Sequence, residues 1–162
     1  MSILSDADII SAVASKDLDI APFREDHLTP NGYDLTIAQV VIPNKSIDIK
    51  AGSVDVPPQT WFAISTEEYV KFGPKYGAGL WIRTSYARRG IISSFGKIDA
   101  GFEGTLTLNA FNGSDKPVTI EISKTFAQMV IEPLVSPPKG LYKDRSGNYQ
   151  GQKGVKLVDT KH

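Results

Sequence analysis

Cysteine is absent from this chain of 162 residues, and histidine occurs only twice, as His27 and His162. Without cysteine the protein has no disulfide, no thiolate metal ligand and no cysteine nucleophile. Two histidines so far apart in sequence also argue against a zinc site built on histidine. The sequence therefore points away from thiol and zinc chemistry.

Net charge and long apolar runs are missing as well. The 18 basic and 18 acidic side chains cancel, so no overall field draws the protein to nucleic acid or to an anionic membrane. The amino-terminal segment, MSILSDADIISAVASKD, has early acids, no basic start and no long apolar run, unlike a signal peptide or a membrane span. We expect a cytoplasmic protein that binds neither nucleic acid nor membrane, and in which any anion site is a local cluster.

The composition is typical of one compact domain. With 41% hydrophobic and 22% charged residues, a chain of this length can bury its own core, so we predict a single domain over residues 1–162. Within residues 1–20 the sequence predicts a short helix. Ser5 caps that helix together with Asp8, three residues on, and the helix ends near Ser15.

Strand signals dominate the rest of the chain. They are short, rich in β-branched or aromatic residues, and separated by Gly, Pro, Asn or Asp. The segments are YDLTIAQVVIP, SIDIKAG, SVDVPP, WFAIST, GLWIRT, GTLTLNAFN, VTIEIS and FAQMVIEPL. They predict an all-β sandwich or barrel. Residues 143–162 are polar and glycine-rich, and we expect them to form a mobile tail that leaves the body and folds over a ligand as a lid.

One stretch of the chain, residues 69–98, contains no Asp or Glu but includes six Lys or Arg side chains, and Asp99 ends it. Arginine presents a planar fork that matches phosphate oxygens, and a nearby carboxylate can hold or deprotonate a water that attacks phosphorus. The stretch therefore predicts a polyphosphate site with Asp99 as its base. Surface ion pairs for the arginines, and a turn-forming role for Asp99, are the alternatives.

Five segments of the chain resemble the successive motifs of one family. They are PNGYDL, WIRTSYARRG, KIDAGFEGTLTL, FAQMVIEPL and YKDRSGNYQGQKG. In this order they are similar to the motifs of the family that joins dUTP diphosphatases and dCTP deaminases. The resemblance implies a distorted jelly-roll fold and a homotrimer with active sites at the subunit interfaces. It also implies a deoxypyrimidine triphosphate as substrate, with magnesium carried by that triphosphate and no metal held by protein ligands.

The resemblance assigns phosphate and water to particular residues. Arg83, Thr84, Ser85 and Arg88 match the residues that bind phosphates at a neighbouring subunit's site. Arg88 is either donated across the interface or supports it. Asp99 matches the aspartate that positions the attacking water at the α-phosphorus.

Other matches concern the sugar, the base and the tail. Phe102 resembles the aromatic that packs against the deoxyribose, although a place in the core explains it equally well. Gln128 would orient the arginine segment or touch the β-phosphate, and Asp34 would support the site from the first motif. Backbone amides of a hairpin at residues 91–98, which ends at Ile98, are our candidate for distinguishing uracil from cytosine. The tail residues that match contacts to triphosphate and base are Tyr142, Tyr149 and Gln152.

Position 109 separates the two activities of the family. In dCTP deaminases the matching residue is a glutamate that carries protons while water adds to the ring carbon bearing the amino group. Here it is Asn109. An amide neither accepts nor returns a proton at neutral pH, and the loss of general acid–base catalysis costs about 100- to 10,000-fold in rate. An ordinary polar strand residue is the alternative interpretation of Asn109.

The sequence thus predicts hydrolysis of dUTP to dUMP and pyrophosphate, with Asp99 and Arg88 as catalytic residues. A dCTP deaminase, alone or bifunctional, is the second interpretation, because the tail resembles the deaminase branch. Within that tail, Asn148 replaces the lysine usual in deaminases. A non-catalytic nucleotide-binding module is the third interpretation, motivated by the departures at Asn109 and Asn148.

Overall fold

The computed structural model describes residues 2–158. Strands account for most of its regular structure, as the sequence predicts. The helices are α1 (Asp6–Ala14), α2 (Thr84–Ala87) and α3 (Tyr142–Arg145), with 3-10 turns at Glu25–His27 and Pro43–Lys45. The strands are β1 (Leu18–Ala21), β2 (Leu28–Thr29), β3 (Gly32–Ile42), β4 (Ile47–Ile49), β5 (Ser53–Val56), β6 (Thr60–Thr66), β7 (Tyr69–Phe72), β8 (Tyr76–Ile82), β9 (Ile91–Ser94), β10 (Lys97–Ile98), β11 (Glu103–Gly104), β12 (Thr107–Asn112), β13 (Val118–Glu121) and β14 (Thr125–Pro133).

The largest sheet has nine strands and curls strongly. Its main order is β10-β8-β14-β3-β6-β12-β9, with β2 and β4 also paired to β3. The first and last strands of this order, β10 and β9, are separated in sequence by only Phe95 and Gly96. The sheet therefore curls until its two edges are close together. Two small sheets, β1-β7-β11 and β13-β5, complete the body, and the predicted all-β fold of the jelly-roll type is confirmed.

The predicted hairpin at residues 91–98 is wrong. Strand β9 pairs with β12, through Ser94 opposite Asn109. Strand β10 pairs instead with β8, through Ile98 opposite Ala78. The segment crosses from one edge of the curled sheet to the other, because alternation along a short segment predicts a strand but not its partner.

Helix α1 begins and ends where the sequence predicts. Ser5 is the N-cap: the Asp8 amide donates to Ser5 Oγ at 3.3 Å, and Asp8 Oδ2 accepts from the Ser5 amide at 3.0 Å. These bonds to Ser5 lower the pKa of the Asp8 carboxyl. Ser15 is the C-cap, and Ile9 and Ala12 are buried against the body.

An aromatic cluster in the core fixes the turn that carries the arginine motif. Phe126 is fully buried, and its ring lies 4.7 Å from the ring of Tyr86 and 6.1 Å from that of Phe62. Tyr86 is the buried residue of α2, and burying such a ring contributes about 1.5–3 kcal/mol to stability. Packing of Tyr86 therefore holds α2 on the body and leaves Thr84 and Ser85 exposed.

The described part of the predicted tail lies against the body. Its backbone joins the segment before β12: the Thr105 amide donates to Gln152 O at 2.9 Å, and the Gly151 amide donates to Glu103 O at 2.8 Å. The side-chain oxygen of Gln39 also accepts from the Val155 amide at 2.9 Å. Residues 159–162, the end of the predicted tail, lie outside the described residues. The expected mobility of the tail stays a prediction. No helix within residues 2–158 has the length and apolar character needed to cross a membrane.

Candidate active site

Arg83 sits in a network of polar side chains at the end of β8. Its guanidinium pairs with the carboxylate of Asp34 on β3 and donates to the hydroxyl of Thr125 on β14. Gln128 Nε2 donates to the other oxygen of Asp34 at 3.3 Å. Asp34 is 8% exposed, whereas the side chain of Arg83 is 38% exposed, so the carboxylate is buried and the guanidinium reaches the surface. Asp34 thus contacts the arginine directly and Gln128 contacts Asp34, while their roles toward a nucleotide stay predictions.

An open cavity adjoins this network, and we refer to it as the arginine cavity. It has a volume of about 480 Å³. Its lining residues are Thr29, Asp34, Trp81, Ile82, Arg83, Thr84, Ser85 and Gln128. Arg88, the C-cap of α2, is exposed and does not line it. With one guanidinium and three hydroxyls, the arginine cavity has the chemistry of a phosphate site.

A second cavity, of about 280 Å³, contains Asp99. We call it the aspartate cavity. Seven residues predicted for the site line it: Ile98, Asp99, Phe102, Asn109, Tyr142, Tyr149 and Gln152. The sequence-predicted set is therefore divided, since Arg83, Thr84, Ser85 and Gln128 lie in the other cavity.

Asp99 begins a tight turn after β10 and extends its side chain to solvent. The Phe102 amide donates to Asp99 O at 3.1 Å, and Lys97 Nζ lies 3.1 Å from Asp99 Oδ1. The side chain of Asp99 is 47% exposed, so it can hold a water molecule while it forms this turn. The turn role and the predicted chemical role are compatible.

A glycine in this turn allows the tail to approach. Gly101 has a φ of 84°, which L side chains rarely adopt. A Cβ at this position would lie 2.6 Å from Leu141 Cβ. The neighbouring Ala100 O accepts from the Tyr142 amide at 2.9 Å, so the turn that carries Asp99 also anchors the beginning of the tail.

Aromatic side chains form one wall of the aspartate cavity. Phe102 is 6% exposed, and its ring meets that of Tyr142 edge-on at 5.4 Å. The Tyr142 hydroxyl accepts from the Tyr149 amide at 3.1 Å. Phe102 belongs to the core and lines the cavity as well, and its contact with a deoxyribose stays a prediction.

Asn109 faces the aspartate cavity from the centre of β12. It is exposed, and it lies opposite Ser94 on one side and Ala63 on the other. Among residues 2–158 no hydrogen bond satisfies its side-chain amide. Asp99 is the only carboxylate among the lining residues of this cavity that the structure describes.

Two lysines that the sequence interpretation did not assign to the site also line the aspartate cavity. Lys97 belongs to the cation-rich stretch, so its position before Asp99 was a usable signal. Lys156 gave no such signal, because it reaches the cavity only through the fold of the tail. Its amide donates to Thr107 Oγ1 at 3.0 Å, across 49 residues of sequence.

Arg83 and Asp99 lie far apart within one chain, although neighbouring residues of β8, Leu80 and Trp81, line the aspartate cavity and the arginine cavity respectively. Ile98 pairs with Ala78, and Asp99 follows Ile98 in the direction away from Arg83. Arg83 is five positions after Ala78 in the chain, and at about 3.3 Å per position the Cα atoms of Arg83 and Asp99 are roughly 16 Å apart or more. Because Asp34 also holds the guanidinium of Arg83, the two side chains of one chain do not meet.

The buried carboxyl group of Glu68 lies beside β3, the strand that carries Asp34. Glu68 is fully buried and accepts from the Thr36 amide at 2.9 Å, while His27 Nδ1 and an Arg24 nitrogen lie 3.7 and 3.8 Å from its other oxygen. Burial raises the pKa of Glu68, partly offset by the bond from Thr36. His27 Nδ1 also lies 3.0 Å from Asp34 O, which links this group to the strand that supports Arg83.

The described residues hold no group of three or more His, Asp or Glu side chains able to bind a metal ion. Magnesium in proteins commonly keeps several waters and is held by one or two carboxylates together with substrate phosphates. The exposed carboxylate of Asp99 fits this mode of binding.

Comparison with known proteins gives the family. A model described as "dCTP deaminase-like" matches residues 3–134. A dCTP deaminase of Pyrococcus horikoshii is 41% identical over 148 residues, which cover 90% of this chain and 92% of the relative. A probable deoxyuridine 5'-triphosphate nucleotidohydrolase of Sulfolobus islandicus rod-shaped virus 1 is 34% identical over 158 residues, 96% of this chain and 98% of the relative.

A solved structure shows the same fold. The 2'-deoxycytidine 5'-triphosphate deaminase from Agrobacterium tumefaciens matches with a TM-score of 0.66 at 18% identity, over 80% of this chain and 47% of that one. The chain belongs to the dCTP deaminase-like family, which the sequence motifs predicted, and it is an enzyme of nucleotide metabolism of the kind that joins dCTP deaminases and dUTPases.

Proposed function

We propose that this protein hydrolyses dUTP to dUMP and pyrophosphate. One observation carries the proposal. Asp99 is the only described carboxylate of its cavity, and the side chain that faces the cavity from the centre of β12 is the amide of Asn109. Among the described residues, the cavity thus offers one carboxylate that can activate water and no second carboxyl group to carry protons to a ring carbon.

The hydrolysis needs one proton acceptor. Asp99 would hold a water molecule at a hydrogen-bond distance of roughly 2.6 to 3.2 Å and accept its proton. The water oxygen forms a bond to the α-phosphorus, and the bond from that phosphorus to the bridging oxygen breaks. Pyrophosphate leaves and dUMP remains. Magnesium on the triphosphate would supply charge neutralisation for the leaving group.

Phosphate binding falls to the arginine cavity. Arg83, Thr84 and Ser85 would neutralise the triphosphate, and Arg88 would be donated across the interface or support it. Arg83 is already oriented by Asp34 and Thr125, and Gln128 donates to the same aspartate. Pre-oriented donors cost little to reorganise when charge develops, which is how such groups stabilise a transition state.

A site made of both cavities requires two copies of the chain. The separation of roughly 16 Å along β8 supports a homotrimer in which one copy gives Asp99 and its neighbour gives Arg83. A head-to-tail contact of this kind closes into a ring when its rotation allows.

Exposed aromatic side chains beside each cavity support the same assembly. On the outer face of the sheet, Phe111 lies between Trp61 and Ile92, two residues along β12 from Asn109. Trp61 and Ile92 are 41% and 62% exposed, and Trp81, which lines the arginine cavity, is 66% exposed. Large apolar side chains grouped on a surface are typical of protein interfaces.

Base recognition would fall to the segment that crosses between the sheet edges. Gly96, Lys97 and Ile98 line the aspartate cavity. Fixed backbone groups there would leave one polar group of cytosine unpaired, at a cost of about 1–3 kcal/mol. The tail residues Tyr142, Tyr149 and Gln152 would close over the base and triphosphate.

Deamination of dCTP is the second candidate, and the names of the relatives favour it. The Pyrococcus horikoshii relative is named a dCTP deaminase, whereas the viral relative at 34% identity is named a probable dUTP nucleotidohydrolase. Against deamination stands Asn109, which cannot carry protons to and from the ring. The chemistry of this side chain decides our preference.

The deciding experiment supplies the purified protein with dUTP or dCTP in the presence of magnesium, and measures pyrophosphate and ammonia separately. We expect pyrophosphate from dUTP and no ammonia from dCTP. Ammonia release at an ordinary enzymatic rate would overturn the proposal in favour of deamination. Tight dUTP binding with no product of either kind would instead identify a non-catalytic nucleotide-binding module.

A further inference from the structure

Only one of the two lysines that line the aspartate cavity forms an ion pair with a described carboxylate. Its described lining residues include one acid, Asp99, and two lysines, Lys97 and Lys156. Lys97 Nζ lies 3.1 Å from the Asp99 carboxylate. Lys156 makes no ion pair with any carboxylate of residues 2–158, and its nearest described aromatic partner is the ring of Tyr149, at 5.9 Å.

Lys156 is held in place by its backbone rather than by its charge. Its amide donates to Thr107 Oγ1 at 3.0 Å, and Thr107 lies two residues before Asn109 on the same face of β12. The Thr107 hydroxyl in turn lies 3.5 Å from Gly154 O. The ammonium group is therefore presented at the cavity only when the tail is docked on β12.

We propose that Lys156 binds the triphosphate of the nucleotide and thereby couples the ligand's charge to docking of the tail. This inference rests on the proposed site but not on which reaction follows. A triphosphate brings several negative charges beside Asp99, and the phosphate-binding side chains of the same chain lie roughly 16 Å away. A cation delivered by the tail stabilises the docked state, because a ligand that contacts only one state shifts the equilibrium toward it.

The neighbouring lysine supplies a matched control. Lys153 belongs to the same tail, three residues earlier, and it lines a different cavity together with Lys50 and Tyr69. Both Lys153 and Lys156 are exposed. Lys153→Gln and Lys156→Gln therefore make equal changes in charge, but only the second removes a cation from the aspartate cavity.

The test uses the full-length protein and two probes: a non-hydrolysable imido analogue of dUTP, and deoxyuridine, which carries no phosphate. Calorimetry measures both affinities, and chymotrypsin cleavage at Tyr149 measures docking of the tail. In the wild-type protein we expect the analogue, but not deoxyuridine, to slow cleavage. Lys156→Gln should weaken binding of the analogue about 10-fold and remove most of the protection. Lys156→Arg and Lys153→Gln should behave as the wild type does.

Three results would overturn the inference. They are unchanged analogue binding by Lys156→Gln, an equal loss of deoxyuridine binding, which indicates a structural role, and no binding of the analogue to the wild-type protein. None of these readouts needs turnover. A protein that fails to hydrolyse dUTP but binds the analogue through Lys156 would disprove the proposed function and leave this inference standing.

Discussion

The arginine cavity and the aspartate cavity differ in how far the fold fixes their side chains. Arg83 is tied to Asp34 and Thr125, on two neighbouring strands of one sheet, with Gln128 bonded to the same aspartate. Asp99 lies in a half-exposed turn, and part of the wall beside it is formed by the tail. In the proposed site, the side chains for phosphate are already held by hydrogen bonds, whereas the cavity around the proposed base is lined in part by the tail. The proposed phosphate-binding and catalytic roles thus fall on parts of the chain that the fold constrains to different degrees.

The largest effect is expected at Asp99, the proposed proton acceptor. Asp99→Asn removes the proton acceptor and should lower kcat for dUTP hydrolysis by about 100- to 10,000-fold. Binding of the non-hydrolysable analogue should change little. Pyrophosphate release in single-turnover kinetics measures the first effect, and calorimetry measures the second. Asp115→Asn, at an exposed turn, is the control and should keep full activity. A small effect of Asp99→Asn would remove Asp99 from the mechanism.

A smaller effect is expected at the arginine cavity. Arg83→Gln should lower kcat/KM roughly 100-fold, the usual loss for one charged donor at a developing oxyanion. It also leaves the carboxylate of Asp34 without its guanidinium, so the free energy of unfolding should fall by about 1–3 kcal/mol. Steady-state kinetics and urea unfolding measure the two. Arg89→Gln removes a guanidinium that lies 4.5 Å from the ring centre of Tyr86 and donates to Ser85 O at 3.3 Å, and it should spare activity. Equal losses of activity in Arg83→Gln and Arg89→Gln would contradict the proposed role of the arginine cavity.

Asn109 shares its cavity with Asp99 but has no proposed part in hydrolysis. Asn109→Ala should therefore change kcat for dUTP by no more than about 10-fold, while KM should rise through lost contact with the base. Steady-state kinetics beside Asp99→Asn make the contrast direct. A loss as large as that of Asp99→Asn would show that the two side chains work as one unit.

The smallest effect concerns Glu68, the buried carboxyl group beside the strand that carries Asp34. Burial raises the pKa of Glu68, so the folded state keeps this proton to a higher pH than the unfolded state, whose pKa is about 4.3. The favourable contribution of Glu68 is present below that pH and is lost as pH rises through the folded pKa. Glu68→Gln should thus gain stability relative to the wild type as pH rises from about 4.5 to 8. Urea unfolding at several pH values tests this, and a constant difference would contradict it. Arg24 and His27 face the same carboxyl, so both proteins are compared at each pH.

Local signals in the sequence predicted the elements that local chemistry determines. The capping box at Ser5 fixed α1 to within a residue, and the contiguous motif around Arg83 predicted one cavity. Strands β1 and β7 were missed, because LDIA and YVKF are short and carry charges. The supposed hairpin at residues 91–98 failed since strand partners depend on the whole sheet. Lys156 was missed because its place at the site depends on a bond to Thr107, 49 residues away.

Mixing two inactive variants tests most directly whether the Arg83 and the Asp99 of one active site come from different copies of the chain. Arg83→Gln and Asp99→Asn proteins are unfolded, combined in equal amounts and refolded together, and pyrophosphate release from dUTP is measured. If each site takes Asp99 from one copy and Arg83 from its neighbour, about a quarter of the sites should carry both native side chains and activity should return to that level. Activity no greater than that of the two separate variants would contradict the account.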